Sequence, residues 1–261
     1  MHGTKDASYF TCTLGEAQGY DRPFKNVNDL IDQQAQNAPD LPAVGFYRTT
    51  KTNTDQTFDH EILTFGTLKR GVTAAAQALK NALILSKDDT VALLCSSSPE
   101  FLLAWLGLIR LGHSVLLLAP QSSPGGILHL CNEIRASVLL VDEKNAGLGA
   151  EAIQQTEKTP EKVTRLERIP FDSQKIFQSA QDIAADLSDV PDPKSAEIAY
   201  WHHTSGTSGK PKVIAQSQHG AVGALPALHG RKKATFTTTP LYHGESRPFR
   251  GVEQCCRCHQ L

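Results

Sequence analysis

The chain has 261 residues, 40% of them hydrophobic and 20% charged, which is enough apolar material for one large packed domain or two small ones. Its 26 Lys and Arg against 27 Asp and Glu leave a net charge of −1, and the one dense basic run, Arg231, Lys232 and Lys233, is too short to track a phosphate backbone. Nucleic acid is therefore not an expected partner. Nor is a membrane span, because Arg110, Gly112 and His113 interrupt the most apolar stretch, residues 101–120. The first residues lead into no apolar signal core, so the expected compartment is reducing and cytoplasmic, without disulfides. Cys95 and Cys131 sit inside apolar patterns and read as core thiols.

In chain order, Leu30, Ile31, Ala35 and Ala38 fall three to four apart from Asn28 onward, after an Asn that can cap and before Pro39, which predicts a short amphipathic helix. Residues 43–47 and 58–63 flank the polar stretch 49–57 and read as two strands of a hairpin with a long loop. Phe65, Leu68, Val72, Ala75, Ala76, Leu79 and Leu83 keep helical spacing after Thr64. An alternation follows: strand 91–95, helix 99–111, strand 115–118, helix 124–135, strand 138–141. Ser98 suits the cap of the first of these helices, Pro99 its first turn, and Gly112 a left-handed stop after it. The strands are continuously apolar, as in a parallel sheet with helices on both faces. The expected class is thus α/β, a mostly parallel sheet flanked by helices. A polar helical stretch, 174–185, precedes a turn-rich linker at 186–195, and a strand resumes at 197–201.

That strand leads into residues 203–212, where two glycines, four hydroxyl residues and two lysines occupy ten positions. The composition suits a polyanion, because glycines let backbone N–H groups converge on phosphate oxygens while hydroxyls and a lysine add donors. A flexible Gly/Ser/Thr linker has a similar composition, but the apolar strand before the loop and Pro211 at its exit argue against one. A Walker A loop needs four residues between its glycines and Ser or Thr after its lysine, whereas Gly206 and Gly209 are separated by two and Pro211 follows Lys210. The hydrolase elbow Gly-x-Ser-x-Gly is one residue too long for Gly206-Thr207-Ser208-Gly209, and the dinucleotide fingerprint is absent at this junction.

The loop resembles the signature Thr-Ser-Gly-Thr/Ser-Thr/Ser-Gly-x-Pro-Lys of adenylate-forming enzymes: acyl-CoA synthetases, adenylation domains of nonribosomal peptide synthetases, and luciferases. Two further segments are similar to that family, in the same order. Val91 to Leu94, Ser98-Pro99-Glu100-Phe101-Leu102 and Gly107 to Gly112 resemble its early nucleotide-domain block, and Pro240-Leu241-Tyr242-His243-Gly244 its acyl-pocket motif. The resemblance implies that Thr204, Ser205, Gly206, Thr207, Ser208, Gly209 and Lys212 hold the β- and γ-phosphates of ATP, with Mg, and that His243 borders the place where the acyl carboxylate meets the nucleotide. Lys210 stands at the variable position and reads as a solvated surface lysine. Val213 departs from the family's usual glycine after Pro-Lys.

The chemistry so implied is ATP + carboxylate → acyl-adenylate + pyrophosphate, followed by transfer to the thiol of CoA or a carrier protein. The family's later motifs, including its C-terminal lysine, do not occur before Leu261. The expectation is therefore the truncated N-terminal part of an adenylate-forming large domain, inactive alone; a non-catalytic nucleotide- or partner-binding module is the alternative. The expected organisation is an N-terminal extension at 1–24, a partial AMP-binding domain at 25–244 and an aberrant tail at 245–261. Resemblance ceases abruptly after Gly244, so the tail is expected to be out of frame with its ancestral coding sequence. Cys255, Cys256, Cys258 and His259 crowd four ligands into five positions, too closely to wrap one zinc ion, so no metal site is expected.

Overall fold

The computed structural model of the chain describes residues 24–51, 56–86, 89–155, 165–179, 187, 190–194, 196–204, 210–223 and 240–242, those between 47 and 60 through their backbone alone. The tail 245–261, Cys12 and the second half of the expected helix 174–185 lie outside them. The first helix, α1 (Val27–Asn37), is capped by Asn26 and not by Asn28. The Asn26 side chain accepts from Asp29 N at 2.8 Å, while Asn28 is buried inside the first turn. Both asparagines carry the same local signal. Asn26 is held in the capping position because its amide also donates to Pro193 O at 3.0 Å, from 167 residues away.

Strands β1 (Pro42–Lys51) and β2 (Gln56–Thr64) form an antiparallel pair that runs out to Lys51↔Gln56. Most of the stretch 49–57 expected as loop is therefore ladder. Threonine's branched Cβ favours the extended backbone, and the ladder bonds themselves require no apolar side chains. Helix α2 (Phe65–Ala82) follows, with Thr64 Oγ1 accepting from Thr67 N at 3.3 Å.

The main sheet contains β3 (Thr90–Leu94), β4 (Ser114–Leu118), β5 (Val138–Val141), β6 (Arg165–Arg168), β7 (Ile198–Thr204) and β8 (Lys212–Ser217), in the spatial order β6-β5-β3-β4-β7-β8. All neighbours are parallel except β7 and β8. From β3 the chain passes through α3 (Pro99–Arg110) to β4 on one side, then through α4 (Pro124–Glu133) back across β3 to β5 on the other. Right-handed crossovers in opposite directions put their helices on opposite faces. Two cores result. Val91, Leu93 and Cys95 pack with α2 and α3, while Ala92 and Leu94 pack with Ile127 and Leu130 of α4 and Ala152 of α5 (Ala146–Gln154). Burial on both faces is why these strands are continuously apolar.

Helix α3 begins and ends as its residues predict. Ser98 Oγ accepts from Phe101 N at 3.2 Å, Pro99 occupies the first turn, and Gly112 adopts φ +82. Gly112 N donates to Ile109 O and His113 N to Leu108 O, each at 3.0 Å, which closes a Schellman motif. Helix α4 ends two residues earlier than the periodicity predicts, through the same motif. Arg135 takes φ +55, and Ala136 N donates to Cys131 O at 2.8 Å. A non-glycine residue in that conformation is the reason its stop carries no sequence signal. Where α3 crosses α2, a Cβ on Gly107 would stand 3.1 Å from Ala76 N, so this glycine permits the close approach.

Helices α5, α6 (Ser173–Ser179) and α7 (Gln218–Gly223) complete the fold, α6 covering the start of the predicted stretch 174–185. Cys95 and Cys131 are buried free thiols; burial pushes the Cys131 thiol up to about 12. Among the described residues, no helix is long and apolar enough to cross a membrane.

Candidate functional site

Parallel strands β3, β4 and β7 present their carboxyl ends at one edge of the sheet. In open α/β sheets this edge, where the strand order reverses, is where ligands bind. The segment following β3 is Cys95 to Ser98. The segment following β4 begins at Ala119, whose N–H donates to His203 Nε2 at 3.2 Å and so ties the turn to β7. Histidine 203, which by residue type alone reads as a cap or surface group, is a bridge between two strands.

Thr204 and Lys212 face each other across the antiparallel β7–β8 pair, so residues 205–211 are the connection of a β-hairpin. Thr204, Lys210 and Lys212 are exposed. Ser205, Gly206, Thr207, Ser208 and Gly209, five of the seven residues expected to hold phosphate, lie outside the described residues, as does His243. Exposure of Thr204 and Lys212 at the hairpin's two entries leaves a hydroxyl and an ammonium group at its base open to an anion. Val213, the departure from the family pattern, pairs with His203 in the ladder and packs against the second core beside Trp201. A β-branched residue suits that place, and glycine would weaken the strand.

Residues 240–242 lie against this same edge. Leu241 N donates to Ser97 Oγ at 2.8 Å, and the Tyr242 hydroxyl donates to Gln121 Oε1 at 2.9 Å. Tyr242 is only 8% exposed and belongs to the first core, which also holds Trp105 and Tyr200 in an edge-on pair with ring centroids 5.0 Å apart. Three segments far apart in sequence thus converge: the turn after β3, the turn after β4, and the segment leading to His243. Sequence reasoning did not single out Ser97 or Gln121. No local pattern marks them, since their partners are 144 and 121 residues away.

Behind Ser97 stands a polar cluster. Asp142 accepts from Ser96 N at 2.9 Å and, through its other oxygen, from Asn145 N at 2.9 Å and Asn145 Nδ2 at 2.6 Å. Burial pulls the Asp142 carboxyl upward, but these donors outweigh it and hold it below the usual carboxylate range. The thiol of Cys95 donates to the same carboxylate at 3.4 Å; burial, then the neighbouring negative charge, pushes that thiol strongly up and keeps it un-ionised. Beside Ser97 and Ser98 opens a cavity of about 380 Å³, bordered also by Phe46, Glu100, Asp172 and Gln174. Glu100 is turned toward Ser173, accepting from its hydroxyl and from its N–H at 3.2 Å. Its carboxyl, raised by burial, is brought below its ordinary value by these bonds. Among the described residues no group of three or more His, Cys, Asp or Glu is placed to hold a metal ion.

The sheet and its crevice define an open α/β domain whose ligand edge carries a glycine- and hydroxyl-rich hairpin. The chain belongs to the AMP-binding enzyme family, whose profile matches residues 31–247. It is 26% identical over 233 residues to long-chain fatty acid transport protein 2 of Rattus norvegicus, a match covering 85% of this chain and 35% of that protein. It is 27% identical over 168 residues to the 3-hydroxybenzoate–CoA/4-hydroxybenzoate–CoA ligase of Thauera aromatica, covering 62% of this chain and 32% of the ligase. The N-terminal subdomain of Klebsiella oxytoca NpsA, solved in complex with 3-hydroxybenzoyl-AMSN, shares the fold with a TM-score of 0.56 and 22% identity, over 78% of this chain and 44% of that one. The chain spans about a third of the length of these two curated relatives.

Proposed function

We propose that residues 25–244 are the nucleotide- and carboxylate-binding part of an ATP-dependent ligase that forms an acyl-adenylate and then a thioester with CoA or a carrier protein. The observation that carries this reading is the meeting of the hairpin 204–212 and the segment 240–242 at one sheet edge, in a chain of the AMP-binding family. The ligase named in the comparison with Thauera aromatica supports the acid–thiol chemistry. The residues at hand fit the phosphates of ATP: the hairpin's hydroxyls, glycine amides and lysine are donors for phosphate oxygens, and none of its side chains is acidic, while Mg would enter bound to the nucleotide.

In this reading a carboxylate oxygen attacks the α-phosphorus, and the bond to the departing pyrophosphate breaks. Negative charge builds on that leaving group. Thr204, Ser205, Thr207, Ser208, the amides of Gly206 and Gly209, and the Lys212 ammonium then act by holding and neutralising it, a contribution of position and electrostatics with no covalent step by the protein. His243, directly after the anchored Tyr242, borders the acyl carboxylate. The linker at 186–195 separates the first crossover units from the hairpin part of the domain. A cytoplasmic setting supplies both ATP and reduced thiols.

Calorimetry with Mg·ATP tests the loop. Lys212→Ala and Gly209→Val are each expected to weaken binding at least tenfold, and unchanged affinity in both variants overturns the assignment. Pyrophosphate exchange across a panel of carboxylates measures how much of the adenylation half-reaction the chain performs by itself.

A further inference from the structure

We infer that Ser97 and Gln121 are positioning residues for the acyl side of the site: together they clamp residues 240–242 to the sheet edge and thereby fix the segment against which the acyl carboxylate is received. The inference rests on the functional reading above and adds to it two residues from turns not assigned any role there.

Three anchors hold a segment of three residues. The Tyr242 ring is buried in the first core, and Leu241 packs against that core. The hydroxyl at the far end of the Tyr242 ring reaches out to Gln121 Oε1 at 2.9 Å, so the ring is fixed in rotation as well as in depth. The backbone is fixed separately, by Leu241 N on Ser97 Oγ at 2.8 Å. A chain held at one backbone amide and one side-chain tip within two consecutive residues has little freedom left in the peptide that joins them.

The turns that carry the two anchoring side chains are themselves held. The turn bearing Ser97 is pinned through Ser96 N on Asp142, whose other oxygen is engaged by Asn145. Asn145 Nδ2 also donates to Ser96 Oγ at 3.2 Å. The turn bearing Gln121 is pinned through Ala119 N on His203, one residue before Thr204 at the base of the glycine-rich hairpin. Both anchors therefore stand at the same sheet edge as the glycine-rich hairpin, on the ends of β3 and β4 beside β7, which gives the acyl segment and the hairpin a common frame. Both tethers are exposed or half-exposed, so they contribute little to global stability; their effect is on local geometry.

The test uses the full chain, Mg·ATP and a non-hydrolysable acyl-adenylate analogue, with variants Ser97→Ala, Ser97→Thr, Gln121→Leu, Tyr242→Phe and the double variant Gln121→Leu/Tyr242→Phe. Each tether removed is expected to raise the analogue's Kd about three- to tenfold, the range of one net hydrogen bond, while the Kd of Mg·ATP stays within about twofold. Ser97→Thr keeps the acceptor and is expected to restore affinity. The double variant is expected to behave like either single one, because both remove the same bond. Amide exchange at Leu241 is expected to be slowed in the parent chain and to accelerate about tenfold in Ser97→Ala. Equal loss of ATP and analogue affinity, strictly additive effects of Gln121 and Tyr242, or a Leu241 amide indifferent to Ser97 overturns the inference. A parent chain that binds neither ligand instead refutes the functional reading itself, and the positioning role falls with it; the ATP titration tells the two failures apart.

Discussion

Asp142→Asn isolates one charge–dipole arrangement without changing size. In the parent chain both carboxylate oxygens accept: one from Asn145 N and Nδ2, the other from Ser96 N and the Cys95 thiol. An asparagine offers one acceptor and one donor. Whichever way its amide turns, the NH₂ group faces N–H donors, either those of Asn145 or that of Ser96. The variant therefore loses at least one charge-assisted bond of about 1.5–3 kcal/mol and weakens the others, and the half-exposed position takes the expected cost to the lower end, about 1.5–2 kcal/mol at pH 7. Urea unfolding followed by far-UV circular dichroism measures it. The pH dependence supplies a second reading. The folded carboxyl lies below its ordinary value of 3.8, so the stability it contributes is present above that value and is lost as pH falls through the depressed one. The gap between parent and variant is accordingly expected to close below about pH 4. A gap under about 0.5 kcal/mol at pH 7, or one that persists unchanged into acid, refutes the reasoning, since the charge-assisted bonds to the carboxylate would then have contributed nothing.

Two left-handed helix stops should respond oppositely. Gly112→Ala meets no atom within 4 Å, so its cost is conformational alone, about 1 kcal/mol of stability, whereas Arg135→Gly should stabilise by up to about 1 kcal/mol; changes of the same sign in thermal melts would defeat the account. Burial lowers the His113 pKa below 6.5, outweighing the Asp89 carbonyl 3.2 Å from its Nδ1, so the parent chain should lose stability as pH falls from about 6.5 and His113→Gln should flatten that slope between pH 7 and 5. Arg110 clasps Asp32 with both terminal guanidinium nitrogens, at 2.8 and 3.2 Å; Arg110→Lys should lower stability by about 1 kcal/mol in denaturant titrations, because a single ammonium cannot reproduce the fork, and an unchanged midpoint would mean the pair is merely a surface contact.

Local patterns in the chain were sufficient for the elements that are locally encoded. Ser98, Pro99 and Gly112 bracket α3 because a cap, a first turn and a left-handed stop each depend on a few consecutive residues. The apolar runs of β3, β4 and β5 announce a parallel sheet covered on both faces for the same reason. The glycine-rich loop is likewise a local word, legible with its hydroxyls and lysine in ten consecutive positions. Tertiary structure decided what depends on distant partners. Polar Arg165–Arg168 is a strand because it pairs with Val138–Val141, and Lys212–Ser217 because it folds back on β7, neither showing the continuous apolar pattern of the central strands. Asn26 prevails over Asn28 through Pro193, and β5 lies beside β3 because the second crossover runs back across β3 on the opposite face of the sheet. The same is true of the site. That a serine after β3 and a glutamine after β4 hold residues 240–242 is a matter of contacts spanning more than a hundred residues, which no window along the chain contains and which arise only when the sheet brings its carboxyl ends together.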